Sequence, residues 1–139
     1  MKIEYRDQIP TEDYLRLRAS VGWMEMAREQ AENAVSRCFT SVCAYDGEQV
    51  VGMTRLLWNM DNSAYISDVI VDEHYRGQGI GKHMVQTVIQ RLKDSMKEGY
   101  TVKLFLMTAE NRESFYEQFG FHTRPYGHSG AGMDQIIRR

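Results

Sequence analysis

The chain has 139 residues, of which 42% are hydrophobic and 26% are charged, and its 17 basic and 19 acidic side chains give a net charge of −2. This composition is typical of one globular domain spanning residues 1–139 and argues against a disordered chain. The small negative net charge argues against nucleic acid or an anionic membrane as a partner. No stretch is long and apolar enough to span a membrane, and the N-terminus lacks an apolar signal segment. We therefore expect a cytoplasmic protein that is a monomer or a homodimer.

The cysteines and histidines do not have the spacing of a metal site. Cys38 and Cys43 lie five residues apart in a segment that reads as a strand, so their side chains point to opposite faces and do not readily pair. The four histidines are scattered along the chain. We expect no disulfide and no metal.

The first half of the chain predicts two helices and four strands. One helix runs from Thr11, taken as its N-cap, to near Gly22. The dipeptide Asp46-Gly47 predicts a hairpin turn between two strands because glycine adopts positive φ without strain. The remaining elements are a strand over 2–6, a helix over 24–36, the hairpin strands over 39–45 and 49–57, and a strand over 63–71.

The second half begins with a glycine-rich segment over 76–81. The pattern then predicts a helix over 82–93, a strand over 102–107, a helix over 111–118, and two closing strands over 121–124 and 133–137. The order β-α-α-β-β-β-α-β-α-β-β indicates an α/β fold, a mixed sheet with helices on both faces.

The glycine-rich segment predicts an anion-binding loop. Three glycines within five residues, Gly77, Gly79 and Gly81, separate a strand from a helix. Such a junction directs backbone N–H groups and the positive end of the helix dipole toward one point, and glycine lets an anion approach closely. Arg76 and Lys82 add positive charge on either side, so the loop is suited to a phosphate or pyrophosphate group.

The spacing distinguishes between three kinds of phosphate loop. A Walker A loop fails because Arg76 stands where its first glycine belongs and His83 where its Ser or Thr belongs. A dinucleotide fingerprint fails because Lys82 replaces its third glycine. The run from Arg76 to Gly81 does fit Arg/Gln-x-x-Gly-x-Gly/Ala, and it resembles the acetyl-CoA-binding motif of the GNAT N-acetyltransferases. A second segment, from Asn111 to Phe121, is similar to the second motif of that family, an Asn followed by Phe-Tyr-x-x-x-Gly-Phe.

The resemblance implies a GNAT-like sheet, mostly antiparallel and splayed between its fourth and fifth strands. It also implies that acetyl-CoA binds as co-substrate without a metal. The loop amides would hold the pyrophosphate, the backbone before the loop would pair with the pantetheine arm, and Asn111 would bind that arm or stabilise the adjacent loop. The implied cofactor-binding residues are Val69, Ile70, Val71, Arg76, Gly77, Gln78, Gly79, Ile80, Gly81, Lys82 and Asn111.

The resemblance also implies the catalytic groups. Tyr116 would protonate the departing thiolate, and the backbone N–H of Val69 or Ile70 would polarise the thioester carbonyl. The base that takes the proton of the amine has no fixed position in the family. Asp68 and Glu110 are both candidates, and Asp68 ranks slightly first, although hydrogen bonding or capping is the more ordinary role for an Asp there.

The predicted activity is direct transfer of an acetyl group to a primary amine, with a small-molecule amine as the expected acceptor. The acceptor site would lie at 21–24 and 126–133, with His122 or His128 pointing in. Trp23 and Trp58 are further candidates for its lining, although a buried or interfacial position is the more ordinary role for these aromatic side chains. Three alternatives remain open: a protein lysine or N-terminal amine as acceptor, a CoA-binding sensor without turnover, and a structural domain whose loop is empty.

Overall fold

The computed structural model describes residues 2–139. These residues fall into two compact units, of which the first ends at Met107 and the second is Thr108–Arg139. The single domain expected over 1–139 stays a prediction. In the described part of the chain, no helix has the length and apolar character needed to cross a bilayer.

The first unit contains the sheet and most of the helices. Its elements in chain order are β1 (Ile3–Arg6), α1 (Thr11–Ser20), α2 (Arg28–Arg37), β2 (Thr40–Asp46), β3 (Gln49–Trp58), β4 (Ser63–Val71), a 3-10 turn (Glu73–Tyr75), α3 (Ile80–Ser95) and β5 (Lys103–Leu106). The second unit contains the short helix α4 (Glu113–Glu117).

The five strands form one sheet in the order β1-β2-β3-β4-β5. Neighbouring strands are antiparallel except β4 and β5, which are parallel. The predicted hairpin is confirmed as β2 and β3, and Gly47 in its turn has a φ of 61°. The predicted α/β class with a mixed, mostly antiparallel sheet is therefore confirmed.

Helices pack on both faces of this sheet, because alternate residues of β3 face opposite sides. Met53 belongs to the core cluster that includes Tyr14 and Leu17 of α1. Gly52 faces α3, where a Cβ atom at its position would lie 3.2 Å from Cε of Met84. Glycine at this position lets the first turns of α3 pack closely against the sheet.

Some element predictions were wrong in detail. Helix α1 begins at Thr11 with Pro10 in the N-cap position, so Thr11 is not the cap. Helix α2 begins at Arg28, four residues later than predicted. The segments 121–124 and 133–137 are not strands, and the one bridge near them joins Tyr126 and Ser129. Residues 131–139 are all exposed, so burial of apolar surface does not offset the entropy lost in ordering a strand there.

Only one of the two cysteines lies in the strand to which the sequence assigned both, because Cys38 follows α2 and precedes β2. Both are free thiols, Cys43 buried on β2 and Cys38 half-buried at the end of α2.

Candidate active site

The connection from β4 to α3 is held in place by local hydrogen bonds. The carboxylate of Asp72 accepts the N–H of His74 at 2.9 Å and so caps the 3-10 turn. The Tyr75 hydroxyl donates to Oδ2 of Asp46 at 2.6 Å, and this bond raises the pKa of the Tyr75 phenol. The Tyr75 bond holds the 3-10 turn against the β2–β3 turn. The glycine-rich residues 76–79 form the rest of the connection to α3.

Gly77 and Gly79 adopt left-handed backbone conformations, with φ values of 78° and 81°. A Cβ atom at either position would meet nothing within 4 Å. The requirement for glycine is therefore conformational, because the left-handed region is strained for other L-residues.

The N-terminus of α3 carries backbone donors that the helix itself does not use. Gly79 is the N-cap and has no side chain to cap them, and the first intrahelical bond runs from the His83 N–H to the Gly79 carbonyl at 3.0 Å. The N–H groups of Ile80, Gly81 and Lys82 therefore lack the partner that later helical residues have. An exposed helix start of this kind is a favourable place for an anion.

Two cations flank this start. Arg76 is exposed, and its Nε donates to the carbonyl of Val71 at 3.1 Å, which holds the side chain against the end of β4. Lys82 is also exposed, in the first turn of α3. The structure thus brings together the loop residues that the sequence analysis singled out.

The strand that leads into the loop has a free edge. Pairing between β4 and β5 begins at Ser63 with Lys103 and ends at Ile66 with Leu106, although β4 continues to Val71. Beyond Ile66, residues Ser67, Ile70 and Val71 pair with β3, and no residue of 67–71 pairs with β5. This is the splay predicted between the fourth and fifth strands, and among residues 2–139 no strand pairs with the other side of Val69, Ile70 and Val71.

The side chain of Asp68 lies in a buried cluster of charged and polar groups. It is 4% exposed, and its two oxygens accept from Nη1 of Arg18 at 2.9 Å and from Nε of Arg55 at 2.7 Å. The Tyr14 hydroxyl donates to Oδ2 of Asp68 at 2.7 Å, and burial together with this bond raises the pKa of Tyr14 to about 12. All three donors belong to the protein, so the carboxylate is engaged in holding the fold. These contacts favour the ordinary structural role for Asp68, and its role as a base stays a prediction.

Sequence reasoning missed Tyr14, Arg18 and Arg55, the partners of Asp68. A buried Asp needs a cationic partner, and this rule could have signalled that such residues exist. It could not identify them, because they come from another strand and a distant helix.

The second unit holds the other predicted catalytic residues. Tyr116 on α4 is 8% exposed and makes edge-to-face contacts with Phe115 and Phe121, with ring centroids 4.9 and 6.2 Å away. Burial raises the pKa of its phenol, and the charge of Arg112 opposes part of that rise. Asn111 is exposed and has a φ of 62°, a left-handed conformation that Asn tolerates better than most residues. The catalytic role of Tyr116 and the binding role of Asn111 stay predictions.

The segments predicted to form the acceptor site contain aromatic side chains. Trp23 lies beneath the guanidinium of Arg18, 5.3 Å from ring centroid to Cζ. His122 stacks on Tyr126 with centroids 4.6 Å apart. Trp58 donates its indole N–H to the Asp61 carbonyl at 2.8 Å, and His128 is exposed.

Two cavities of the first unit lie away from the glycine loop. One, of about 620 Å³, is lined by residues that include Ile9, Phe39 and Arg91. The other, of about 410 Å³, is lined by residues that include Trp58, Tyr65 and Phe105. Among residues 2–139, no three His, Cys, Asp or Glu side chains converge as metal ligands.

Comparison with known proteins gives a consistent picture. Residues 4–121 match the profile of the acetyltransferase (GNAT) family. An uncharacterized N-acetyltransferase of Gracilaria tenuistipitata is 24% identical over 132 residues, which cover 92% of this chain and 70% of that protein. A chloroplastic GCN5-related N-acetyltransferase of Arabidopsis thaliana is 33% identical over 91 residues, which cover 61% of this chain but only 33% of that protein.

Solved structures agree with these matches. A Staphylococcus aureus protein of unknown function, described as a probable acetyltransferase, superimposes with a TM-score of 0.86 at 26% identity, covering 98% of this chain and 100% of that one. A GNAT-family acetyltransferase of Streptococcus pneumoniae superimposes with a TM-score of 0.78 at 29% identity, covering 99% and 98% of the two chains.

Proposed function

The chain belongs to the GNAT acetyltransferase family and is an acyltransferase, and from this premise we propose that it transfers the acetyl group of acetyl-CoA directly to a primary amine. The observation that carries the proposal is the exposed start of α3, where unpaired amides and two glycines of positive φ lie between Arg76 and Lys82. Next to it, β4 offers a free edge over residues 67–71. An anion cradle beside a strand with one unpaired edge suits a ligand that has a pyrophosphate and an amide-containing arm.

We assign the binding roles that the family resemblance implies. The backbone from Arg76 to Gly81 binds the pyrophosphate, and the side chains of Arg76 and Lys82 supply charge-assisted contacts. The backbone of Val69 to Val71 pairs with the pantetheine arm as an added strand would. Asn111 binds that arm or stabilises the loop beside it. Acetyl-CoA, when bound, supplies the activated acyl group as a thioester.

The reacting groups need a donor for the carbonyl oxygen and an acid for the sulfur. The backbone N–H of Val69 or Ile70 polarises the carbonyl as negative charge develops on its oxygen. Tyr116 protonates the departing thiolate. Its phenol is protonated at neutral pH, and burial raises its pKa further. With these groups in place the amine attacks directly, and no acyl-enzyme is required.

The acceptor must lose a proton before it attacks. Asp68, the first candidate for the base, accepts hydrogen bonds from three protein donors. Glu110 is exposed and forms no ion pair with another described residue. We therefore infer that the proton leaves through Glu110 or through water.

The expected acceptor is a small primary amine with an apolar or aromatic part. The support is the aromatic and uncharged composition of 21–24 and 126–133. Because Trp23 lies against Arg18, its ring is partly covered by a cation, which disfavours an acceptor whose recognition depends on cation–π contact with that ring.

Thiol release from acetyl-CoA over a panel of small amines, amino acids and peptides tests this proposal. We expect release above background hydrolysis with at least one small amine, and less with peptides. Turnover confined to peptides would move the acceptor to the protein class. Acetyl-CoA binding without turnover on any amine would favour a sensor.

A further inference from the structure

Strand β4 contains a bulge at Asp68. Met53 of β3 pairs with Ile70 and Arg55 pairs with Ser67, so the single residue Thr54 lies opposite both Asp68 and Val69. Asp68 has a φ of 61°, which is uncommon for a residue other than glycine and is found more often for Asp and Asn. The extra residue changes the side of the sheet that the later side chains of β4 face. Ile66 pairs with Leu56 and Ile70 pairs with Met53, and these two β3 residues are three positions apart and so face opposite sides. Ile70 therefore packs in the core cluster that includes Tyr14. The bulge thereby directs the Asp68 carboxylate toward α1.

The cluster around Asp68 ties this bulge to three other parts of the first unit. Arg55 donates from Nη1 to the Ala34 carbonyl of α2 at 3.0 Å and from Nη2 to Oγ of Ser67 at 3.2 Å. Arg18 of α1 donates from Nη2 to the Met24 carbonyl at 3.2 Å. The bulge is thus held by α1, by α2 and by the segment between those helices.

The charge of the cluster argues against a role for Asp68 as the anchor of an ammonium group. Two guanidinium groups face one carboxylate, and Tyr14 is neutral because its pKa is about 12, so the cluster carries a net positive charge. A site that anchors an ammonium group needs a net negative charge. A net positive charge instead favours the negative charge that develops on a carbonyl oxygen near the bulge.

We propose that Asp68 is a positioning residue, which with Arg18, Arg55 and Tyr14 holds the β4 bulge so that the backbone N–H of Val69 or Ile70 is aimed at the acetyl carbonyl. This inference rests on the proposed function, because it presumes that acetyl-CoA lies along β4. The bulge bears a residue of positive φ and has no β5 neighbour, so its position depends on the hydrogen bonds of the cluster. Arg18 also connects the bulge with Met24, in the segment predicted to form part of the acceptor site.

The test compares the affinities of acetyl-CoA and CoA, because CoA lacks the acetyl group and with it the carbonyl that the bulge is proposed to bind. Calorimetric titrations use the full chain, two variants of the cluster and a control. Arg18→Met removes the link between Asp68 and Met24, whereas Tyr14→Phe removes one hydrogen bond and keeps the ring packed. Arg16→Met is the control, because Arg16 lies on the same helix but binds Asp13 and the Val50 carbonyl.

In both cluster variants we expect the preference for acetyl-CoA over CoA to fall by about threefold to tenfold, the equivalent of one hydrogen bond, with CoA affinity within about twofold of the parent. The control should keep the preference of the parent protein. Equal losses for both ligands, or no change in Tyr14→Phe when that variant is folded, would overturn the positioning role. If the parent protein bound neither ligand, the proposed function itself would fail, so the two failures are distinguishable.

Discussion

Asp68 and Tyr116 show how the surroundings of a single side chain decide what it can do. Asp68 is buried against two guanidinium groups, so its charge is compensated and its oxygens are engaged. Tyr116 is buried among aromatic rings, so its proton is retained. Both residues are candidates for proton transfer, and their contacts favour that role for Tyr116 far more than for Asp68.

Replacing Asp68 with Ala should strongly destabilise the protein. The change leaves Arg18 and Arg55 buried without their counter-ion, and breaking a buried pair in this way costs about 3–5 kcal/mol in the free energy of unfolding. The control is Asp7→Ala, because Asp7 binds Arg91 at the same 2.7 Å but is 78% exposed. Its loss should be below about 1 kcal/mol. Urea unfolding measures both, and similar losses would show that the Asp68 cluster does not stabilise the fold.

Replacing Tyr116 with Phe should lower kcat by about 100-fold and leave acetyl-CoA affinity within about twofold, because the hydroxyl acts only as the thiolate departs. Since burial raises the Tyr116 pKa above 10.0, the alkaline fall in kcat of the parent should lie above that pH and be absent in the variant. Tyr100→Phe, outside every proposed site, serves as the control. Steady-state kinetics against pH provides the measurement, and an unchanged kcat would exclude Tyr116 as the acid.

At the scale of elements, the site is a junction in which a strand, a turn and a helix each leave backbone groups unpaired. Strand β4 loses its β5 neighbour after Ile66, and α3 begins at a glycine without a side-chain cap. Gly52 lets α3 pack close to the sheet beside this junction. The binding capacity that we propose therefore depends on the backbone more than on side chains.

Gly79→Ala should lower acetyl-CoA affinity by about tenfold, because alanine resists the φ of 81° and the loop must change shape. Gly47→Ala is a matched control, since Gly47 also has positive φ and open space but lies in the β2–β3 turn. Both variants should lose about 1 kcal/mol of stability. Thermal unfolding measures the loss of stability in each variant, and calorimetric titration of the folded variants measures the loss of acetyl-CoA affinity. Equal affinity in the two variants would mean that the loop does not bind the ligand.

The elements predicted correctly are those that a short stretch of sequence specifies by itself. The β2–β3 hairpin follows from Asp46-Gly47, β4 was predicted at its observed bounds, and the glycines marked the start of α3 to within two residues. The closing strands were wrong because the alternation at 133–137 suits a strand only if another surface covers it, and those residues are exposed. The Asp68 cluster could not be predicted either, since it depends on a bulge and on partners 13 to 54 residues away.

At the scale of the whole molecule, composition and family together limit the possible functions. The net charge of −2 gives the protein no overall attraction for anions. The positive charge that the proposed function uses is local, at Arg76 and Lys82 and in the buried cluster around Asp68. The family match over residues 4–121 covers both predicted motifs. Cytoplasmic location and oligomeric state stay predictions, and one relative is chloroplastic.

The stability of the protein should fall as the pH rises from about 9 toward 12. Burial raises the pKa of the Cys43 thiol from 9.0 to about 12 and that of the Tyr14 phenol from 10.0 to about 12. The unfolded chain loses these protons first, so the stabilisation is full below pH 9 and is lost as pH approaches the folded values. Urea unfolding at several pH values measures this, and Cys43→Ala should weaken the fall that begins near pH 9. A slope identical to that of the parent would contradict the assignment to Cys43.

The most direct measurement is a calorimetric titration of the parent protein with acetyl-CoA. We expect binding to one site per chain with a Kd on the order of micromolar, weakened in Gly79→Ala but not in Gly47→Ala. No binding at about millimolar acetyl-CoA, with the protein shown to be folded, would contradict the assignment of the glycine loop as its binding site.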